Sequence, residues 1–298
     1  MKITTVISLQ NVIISIVIVS VIYWLYSYFF TNTNVIKINF ENVDDHPALD
    51  TRQVVLYSSY NNSYYNDNSK KFVKLNAMIN ERFCSKHYNH TYKQFIHEDT
   101  FMSPYWLRVY DLYNLCKTYP DNTIFMYLDA DAIIKQDNIS IHTFLDKIDK
   151  TYKINQFGEK FKDIYISHDP NIDMPYYTGI FNTGCYIVRN TKQSREYIKK
   201  WLDKYNNGNE WKLKQEATGE TKWECRVQTK NCDWSADGYE QGEFSNLFRK
   251  NDNIVQSLHW TTLACTDIYN KHCYVLHMMQ ANDRLREKVF TEFLKTHN

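Results

Sequence analysis

The hydrophobic pattern of the chain begins with one long apolar run and continues as short compact runs that alternate with helically spaced segments. Residues 12–30 are apolar apart from Ser15, Ser20 and Ser27, and no charged residue falls between Lys2 and Lys37. That length matches the ~20 residues a helix needs to cross a bilayer. Tyr23, Trp24, Tyr26 and Tyr28 stand at its C-terminal end, as an interfacial aromatic belt would. A cleaved signal peptide would have a shorter core, about 7–15 residues, followed by a small-residue cleavage site. This run instead continues into Tyr28-Phe29-Phe30. The pattern therefore predicts a short cytoplasmic tail and a signal anchor over 1–30, a polar, aperiodic stem over 31–50, and a folded domain over 51–298.

Within that domain, 53–57 (QVVLY) is a β-branched run suited to a buried strand. The Asn/Ser/Tyr-rich stretch 58–69 reads as a loop. Phe72, Leu75, Ile79 and Phe83 recur at helical spacing. Ser103-Pro104 has the form of an N-cap followed by a first-turn proline, opening a helix to about Lys117. Strands are predicted at 123–128, 163–167 and 184–188, and shorter ones at 254–257 and 274–277. Ile198, Trp201, Leu202 and Tyr205 line one helix face, with Gly208 as its stop. The polar segment 206–234 has no clear period and reads as a loop. Strands alternating with helices predict an α/β domain.

The chain has 298 residues and 43% hydrophobic composition, enough for one large core. Its 35 basic and 34 acidic residues balance to a net charge of +1, which excludes the basic surplus of a nucleic-acid binder and an acidic tail. Aromatic residues make up 16% of the chain, including 24 Tyr; most of these fill core and strand positions, although aromatic faces also suit sugar rings. The seven cysteines all follow the anchor, and none forms a C-x-x-C pair, which argues against structural zinc. Cys225 with Cys232, and Cys265 with Cys273, could each close a short loop in an oxidising compartment. Cys84, Cys116 and Cys185 read as buried thiols. N-x-S/T sequons begin at Asn61, Asn89 and Asn138, all beyond the anchor. The Lys/Arg balance around the anchor is nearly silent on orientation, so the sequons carry the expectation of a type II protein with a lumenal domain.

The sharpest chemical signal is Tyr127-Leu128-Asp129-Ala130-Asp131-Ala132. Two carboxylates leave the C-terminal end of a buried strand, the edge where open α/β sheets bind ligands. Such a pair can hold a hard divalent cation that bridges two phosphates and neutralises a leaving diphosphate. The second signal is Phe181-Asn182-Thr183-Gly184-Cys185-Tyr186-Ile187-Val188-Arg189-Asn190-Thr191, a polar turn entering a buried strand. Asn182 offers both a donor and an acceptor, as a sugar hydroxyl requires, and Gly184 permits close backbone approach.

With these two stretches in this order, the chain resembles the GT-A glycosyltransferases, and among them the fungal Golgi α-galactosyl- and mannosyltransferases and plant xyloglucan xylosyltransferases. Residues 80–88 (NERFCSKHY) are similar to the family's Asn-Arg-x-x-Tyr-Ala-x-x-His-Gly-Tyr segment. Trp106-Leu107-Arg108 is similar to its Trp-x-Lys, Tyr239-Glu240-Gln241 to its Asp-Gln pair, and Val275-Leu276-His277 to the strand bearing its late histidine ligand. The resemblance spans about 53–284 and implies a GT-A, Rossmann-like nucleotide-diphospho-sugar transferase domain. It implies Mn²⁺, or Mg²⁺, on Asp131 and His277, with Asp129 on the metal through water or on the donor ribose. Arg108 and Arg284 would meet the diphosphate, and Asn182 and Gly184 the donor sugar or acceptor. Gln241 and Glu240 would lie at the anomeric carbon. The family carries Lys where Arg108 stands and Asp where Glu240 stands.

The function so implied is transfer of a hexose or pentose from a UDP-sugar or GDP-mannose to a glycan or glycoprotein, with retention, on a Golgi- or ER-type membrane. The segment 206–234 would then shape the acceptor side. Two competing readings are an inactive anchored protein of the same fold and a phosphohydrolase of another fold. Intact Asp129, Asp131 and His277 speak against the first, and the second leaves the Asn-Thr-Gly strand without a role. The GT-A fold hosts both stereochemical outcomes, so inversion stays open.

Overall fold

In this computed structural model the described residues are 50–152, 162–168, 181–207, 211–216, 221–225, 238–248 and 253–296. The candidate membrane span 12–30 and the stem lie outside them, as do Gly208 and Cys232. Among the described residues no helix is long and apolar enough to cross a membrane.

The chain order is β1 (Val54–Asn61), α1 (Asn62–Asn66), α2 (Lys71–Lys86), β2 (His90–His97), α3 (Pro104–Thr118), β3 (Ile124–Leu128), β4 (Ala132–Ile134), α4 (Ile141–Thr151), β5 (Ile164–His168), β6 (Phe181–Arg189) and α5 (Lys192–Asn207). It continues with β7 (Trp211–Gln215), β8 (Thr221–Cys225), α6 (Glu240–Phe248), β9 (Val255–Leu258), α7 (Trp260–Leu263), β10 (Ala264–Cys265), β11 (Val275–His277) and α8 (Asp283–Thr296). Six strands form one sheet in the order β2-β1-β3-β6-β5-β9. β1 runs parallel to β2 and β3, and β5 parallel to β9, while β6 is antiparallel to both of its neighbours. A second sheet has the order β10-β11-β4, and β7 and β8 pair by themselves.

The apolar runs are continuous because both sheet faces are buried. Along β3, Ile124, Met126 and Leu128 enter one core, and Phe125 and Tyr127 the other. Val54 and Leu56 alternate with Val55 and Tyr57 in the same way, the period of two that a strand imposes. α3 and α5 cover the second face with Trp106, Leu112, Ile198 and Trp201; α4 covers the first with Ile141, Phe144 and Ile148.

Several elements depart from the pattern-based reading. β1 does not stop at Tyr57: it runs through Ser58, Ser59 and Tyr60, and Ser58 Oγ donates to Leu128 O at 2.8 Å. Hydroxyls with a backbone partner can be buried at little cost, so this polar stretch is strand followed by α1 rather than loop. Ser103 occupies the N-cap of α3, but its side chain makes no capping bond. The segment 206–234 contains the antiparallel hairpin β7–β8, pinned by Trp223 Nε1 donating to Asp99 O at 2.8 Å. The "turn" Phe181-Asn182-Thr183 is the start of β6. Cys265 and Cys273 form a disulfide, and Cys84, Cys116 and Cys185 are buried thiols. Burial pushes Cys84 and Cys116 up to about 12.

Candidate active site

Two strand pairings assemble the site. β6 runs antiparallel to β3, with Cys185 opposite Leu128, so its N-terminal end lies against the C-terminal end of β3. Asp129 N donates to Gly184 O at 2.9 Å. Opposite β5, the β6 register jumps from Tyr186 to Asn182, leaving Thr183, Gly184 and Cys185 out of that ladder. Such bulges re-aim a strand beside a site. In the second pairing, β11 lies antiparallel to β4 and sets His277 opposite Ala132, while Met278 N donates to Asp131 O at 2.8 Å. The aspartates and the distant histidine are thereby brought to one point.

Asp129, Asp131 and His277 each offer a ligand atom there, all within 4.8 Å of one another. His277 Nε2 lies 3.3 Å from Asp131 Oδ1 and 3.7 Å from Asp129 Oδ2. Gly184 is the floor. A Cβ there would sit 2.2 Å from His277 Cε1, 2.7 Å from Asp129 Oδ2 and 2.8 Å from His277 Nε2. Burial by itself would lower the His277 pKa, but the Asp131 and Asp129 carboxylates outweigh it and the net shift is upward. Burial likewise raises Asp131, and His277 and Arg286 bring it below the ordinary carboxylate value. The residues fit a divalent cation. Two carboxylates and an imidazole converge over a backbone that a side chain would fill, a mixed oxygen and nitrogen donor set.

Arg108, from α3, lies with its guanidinium 4.8 Å over the Tyr127 ring. It meets Asp129 through Nη2–Oδ1 at 3.0 Å and Nη1–Oδ2 at 3.3 Å, and donates to Thr183 O at 3.1 Å. Tyr127 Oη donates to Asp129 Oδ1 at 2.6 Å. Arg108 is thus the counter-ion of Asp129 on the wall of the cleft. Arg284 is exposed on α8 and is not among the residues that line the cleft. Arg286, one half-turn further, is: its Nη2 donates to Asp131 Oδ2 at 2.7 Å.

Glu240 and Gln241 open α6, at the positive end of the helix. Gly238, at φ 89°, turns the chain into that helix, and its carbonyl accepts from Trp106 Nε1 at 2.9 Å and Trp211 Nε1 at 2.7 Å. Trp201 Nε1 donates to Glu240 O at 2.8 Å. These bonds aim both side chains at β6. Thr183 Oγ1 donates to Glu240 Oε1 at 3.0 Å, and Thr183 N donates to Gln241 Oε1 at 3.1 Å. Arg108 Nη1 stands 3.7 Å from Glu240 Oε1, and Glu240 Oε2 is buried without a partner. Burial raises the Glu240 pKa, against the opposing effects of Arg108 and the Thr183 hydrogen bond. Asn182 Oδ1 accepts from Gly184 N at 3.0 Å, and its Nδ2 faces Met279 Sδ at 3.0 Å. Asn182 therefore shapes the bulge and borders the site.

Sequence reasoning missed Arg286 and Asn76, and it gave no role to Thr183, Tyr127 and Asn80, which it had only as members of its motifs. Asn76 Nδ2 donates to Asp129 O and Ala132 O, holding the Asp-x-Asp turn, and Asn80 Nδ2 donates to Asn76 Oδ1 at 2.9 Å. A signal for this pair did exist: two asparagines four apart, beside the apolar positions 72, 75, 79 and 83 of one helix, are too costly to bury unless they serve backbone groups. The site opens onto a cleft of about 890 Å³ that runs past Tyr60 and Asn61 at the end of β1, Tyr64 on α1, Lys70, and Tyr105 on α3.

Residues 50–281 match the model of the galactosyl transferase GMA12/MNN10 family. A solved glycosyltransferase involved in glycosylation of the major capsid of PBCV-1 shares 16% identity over 80% of this chain and 99% of its own, with a TM-score of 0.54. Mouse xyloside xylosyltransferase 1 shares 11% identity over 76% of this chain and 97% of its own, with a TM-score of 0.41. The likeness to the first is one of fold. A search of curated proteins gives no match.

Proposed function

The chain belongs to the galactosyl transferase GMA12/MNN10 family and is a glycosyltransferase of the GT-A α/β fold, and on that premise we propose that it transfers a hexose or pentose from a UDP-sugar or GDP-mannose to a hydroxyl of a glycan or glycoprotein, with retention and with metal dependence. The observation that carries the metal-dependent reading is the convergence of Asp129, Asp131 and His277 over Gly184. When bound, a divalent ion supplies charge neutralisation to the departing nucleoside diphosphate.

The chain's own groups take the remaining roles. Asp131 and His277 hold the ion, with Asp129 beside them. Arg108, already poised on Asp129, adds positive charge for the diphosphate in a low-dielectric cleft, where it acts more strongly than in water. The long cleft at the end of β1 suits an extended nucleotide-sugar. Glu240 and Gln241 stand behind Thr183 with their oxygens toward β6 and are not among the residues that line the cleft, so they would act on the anomeric carbon's surroundings through Thr183 and Arg108. Glu240 reaches further than the family's Asp, and its Oε1 stands 3.7 Å from Arg108 Nη1. Trp106, Trp201 and Trp211 keep the start of α6 rigid and dry.

We extend the proposal to a membrane-tethered enzyme whose domain faces a Golgi- or ER-type lumen. Its support is the apolar run 12–30 and the Cys265–Cys273 disulfide, which suits an oxidising compartment. The functional reading is tested by incubating the full-length chain with a panel of UDP- and GDP-sugars and Mn²⁺ and measuring nucleotide release, with and without glycan acceptors. Release from one donor, abolished by EDTA and by Asp131→Ala, is expected. Release from none by folded protein contradicts the reading.

A further inference from the structure

Arg286 lies outside every motif that identifies the site, yet its guanidinium touches three segments at once. Nη2 donates to Asp131 Oδ2 at 2.7 Å, and Nη2 and Nε both reach Met278 O at 3.3 Å. Nη1 donates to Asp283 Oδ1 at 3.0 Å, at the start of its own helix. The plane lies 5.2 Å over the Phe72 ring of α2. Met278 directly follows His277, so one planar group ties the Asp-x-Asp turn to the strand end that carries the histidine.

We propose that Arg286 is a positioning residue of the metal centre, holding one oxygen of Asp131 and so fixing the plane of its carboxylate with the other oxygen presented beside His277. The inference rests on the metal-dependent reading of the site. The terminal torsion of Asp131 is broad, and without a partner the carboxylate plane could turn so that neither oxygen meets His277 squarely. Arg286 takes Oδ2, and the other oxygen, Oδ1, is the one 3.3 Å from His277 Nε2. The arginine is itself held in place. Asn282 Oδ1 accepts from Leu285 N at 2.9 Å at the helix start, and Phe290 of α8 is fully buried with Phe72 and Leu276. α8, an element with no chemistry of its own, thereby determines ligand geometry.

Charge and geometry make opposite predictions here. A cation beside a metal site repels the metal, so if Arg286 were only a counter-ion, removing it would tighten binding. If it positions Asp131, removing it loosens binding. Outer-sphere partners of metal ligands typically contribute 10–100-fold in affinity. Lysine keeps the charge but lacks the planar fork that serves Asp131 and Met278 O together.

The test is titration of the full-length chain with Mn²⁺ alone, read by the electron paramagnetic resonance signal of free Mn²⁺, for the wild type, Arg286→Gln, Arg286→Lys and Asp131→Ala. Both Arg286 variants are expected to bind about 10–100-fold more weakly while retaining the wild-type circular dichroism spectrum. Should Arg286→Gln not fold, Arg286→Lys decides alone. Binding by a folded Arg286 variant at or above wild-type affinity overturns the inference, and if Asp131→Ala has lost binding in the same series, the metal site itself stands. Absence of Mn²⁺ binding in the wild type overturns both.

Discussion

Replacing Gly184 with alanine adds one methyl group at the point where the three ligands meet. Gly184 does not have the left-handed φ that alanine resists, so the effect is steric. The new Cβ would stand 2.2 Å from His277 Cε1, and restoring an ordinary carbon contact of ~3.5 Å means a displacement of about 1.3 Å. The imidazole has little room to give. His277 is buried, and its strand is paired to β4 opposite Ala132, which is itself fully buried. Nor can β6 retreat, since it is hydrogen-bonded to β3. Functional metal sites hold ligand distances to roughly ±0.2 Å, several times less than the required shift. Overpacking of this kind costs about 1–3 kcal/mol of stability. We expect Gly184→Ala to fold with a lowered melting temperature and to bind Mn²⁺ at least ~100-fold more weakly, a loss of about 2.7 kcal/mol. Calorimetric titration of the folded variant with Mn²⁺ measures this. Affinity within threefold of wild type would show that the ion does not sit over Gly184, and the site geometry argued above would fail.

Further expectations follow from the same geometry. The raised His277 pKa means that protons compete with the metal, so Mn²⁺ affinity should fall about tenfold per pH unit below that pKa; affinity flat across this range would count against His277 as a ligand. In the metal-free protein the same shift contributes stability that is complete below the unfolded histidine value of about 6.5 and is lost as pH rises through the folded value, so melting temperatures without metal should decline over that window in the wild type and not in His277→Ala. Glu240→Gln should lower the transfer rate on the order of 100-fold with Mn²⁺ affinity unchanged; because burial raises the Glu240 pKa, its charged form is disfavoured in the fold, and the variant's melting temperature at pH 8 should equal or exceed wild type. Cys273→Ser should cost about 2.5 kcal/mol, from the 8-residue separation that the disulfide closes, and denaturant unfolding under non-reducing conditions checks it.

The parts of this architecture that were legible in the sequence are those where burial is two-sided or the spacing strict. The fully apolar β3 and the 72, 75, 79, 83 face of α2 are of this kind. The position of Asp129 and Asp131 at the end of β3 is legible too, because the triplet directly follows that apolar run. The polar elements were not legible. β2 (HTYKQFIH) is an edge strand with three of its eight residues exposed, and the Ser58 hydroxyl is buried only because Leu128 O of the neighbouring strand accepts from it. The hairpin β7–β8 is anchored by the indoles of Trp211 and Trp223, a tertiary reason that no local period reveals. Arg284 and Arg286 illustrate the limit most clearly. Both lie on α8 shortly after His277, and only the docking of that helix through Phe290 decides which one turns toward Asp131.

A transferase site at Asp129, Asp131 and His277 requires a nucleoside diphosphate and a divalent metal to bind there together. Calorimetric titration of the full-length chain with UDP and with GDP, each with and without Mn²⁺, in wild type and Asp131→Ala, addresses it most directly. One of the two nucleotides is expected to bind tightly only with Mn²⁺, and Asp131→Ala to abolish the metal-dependent part. Binding of equal strength without metal, or undiminished in Asp131→Ala, would contradict that requirement.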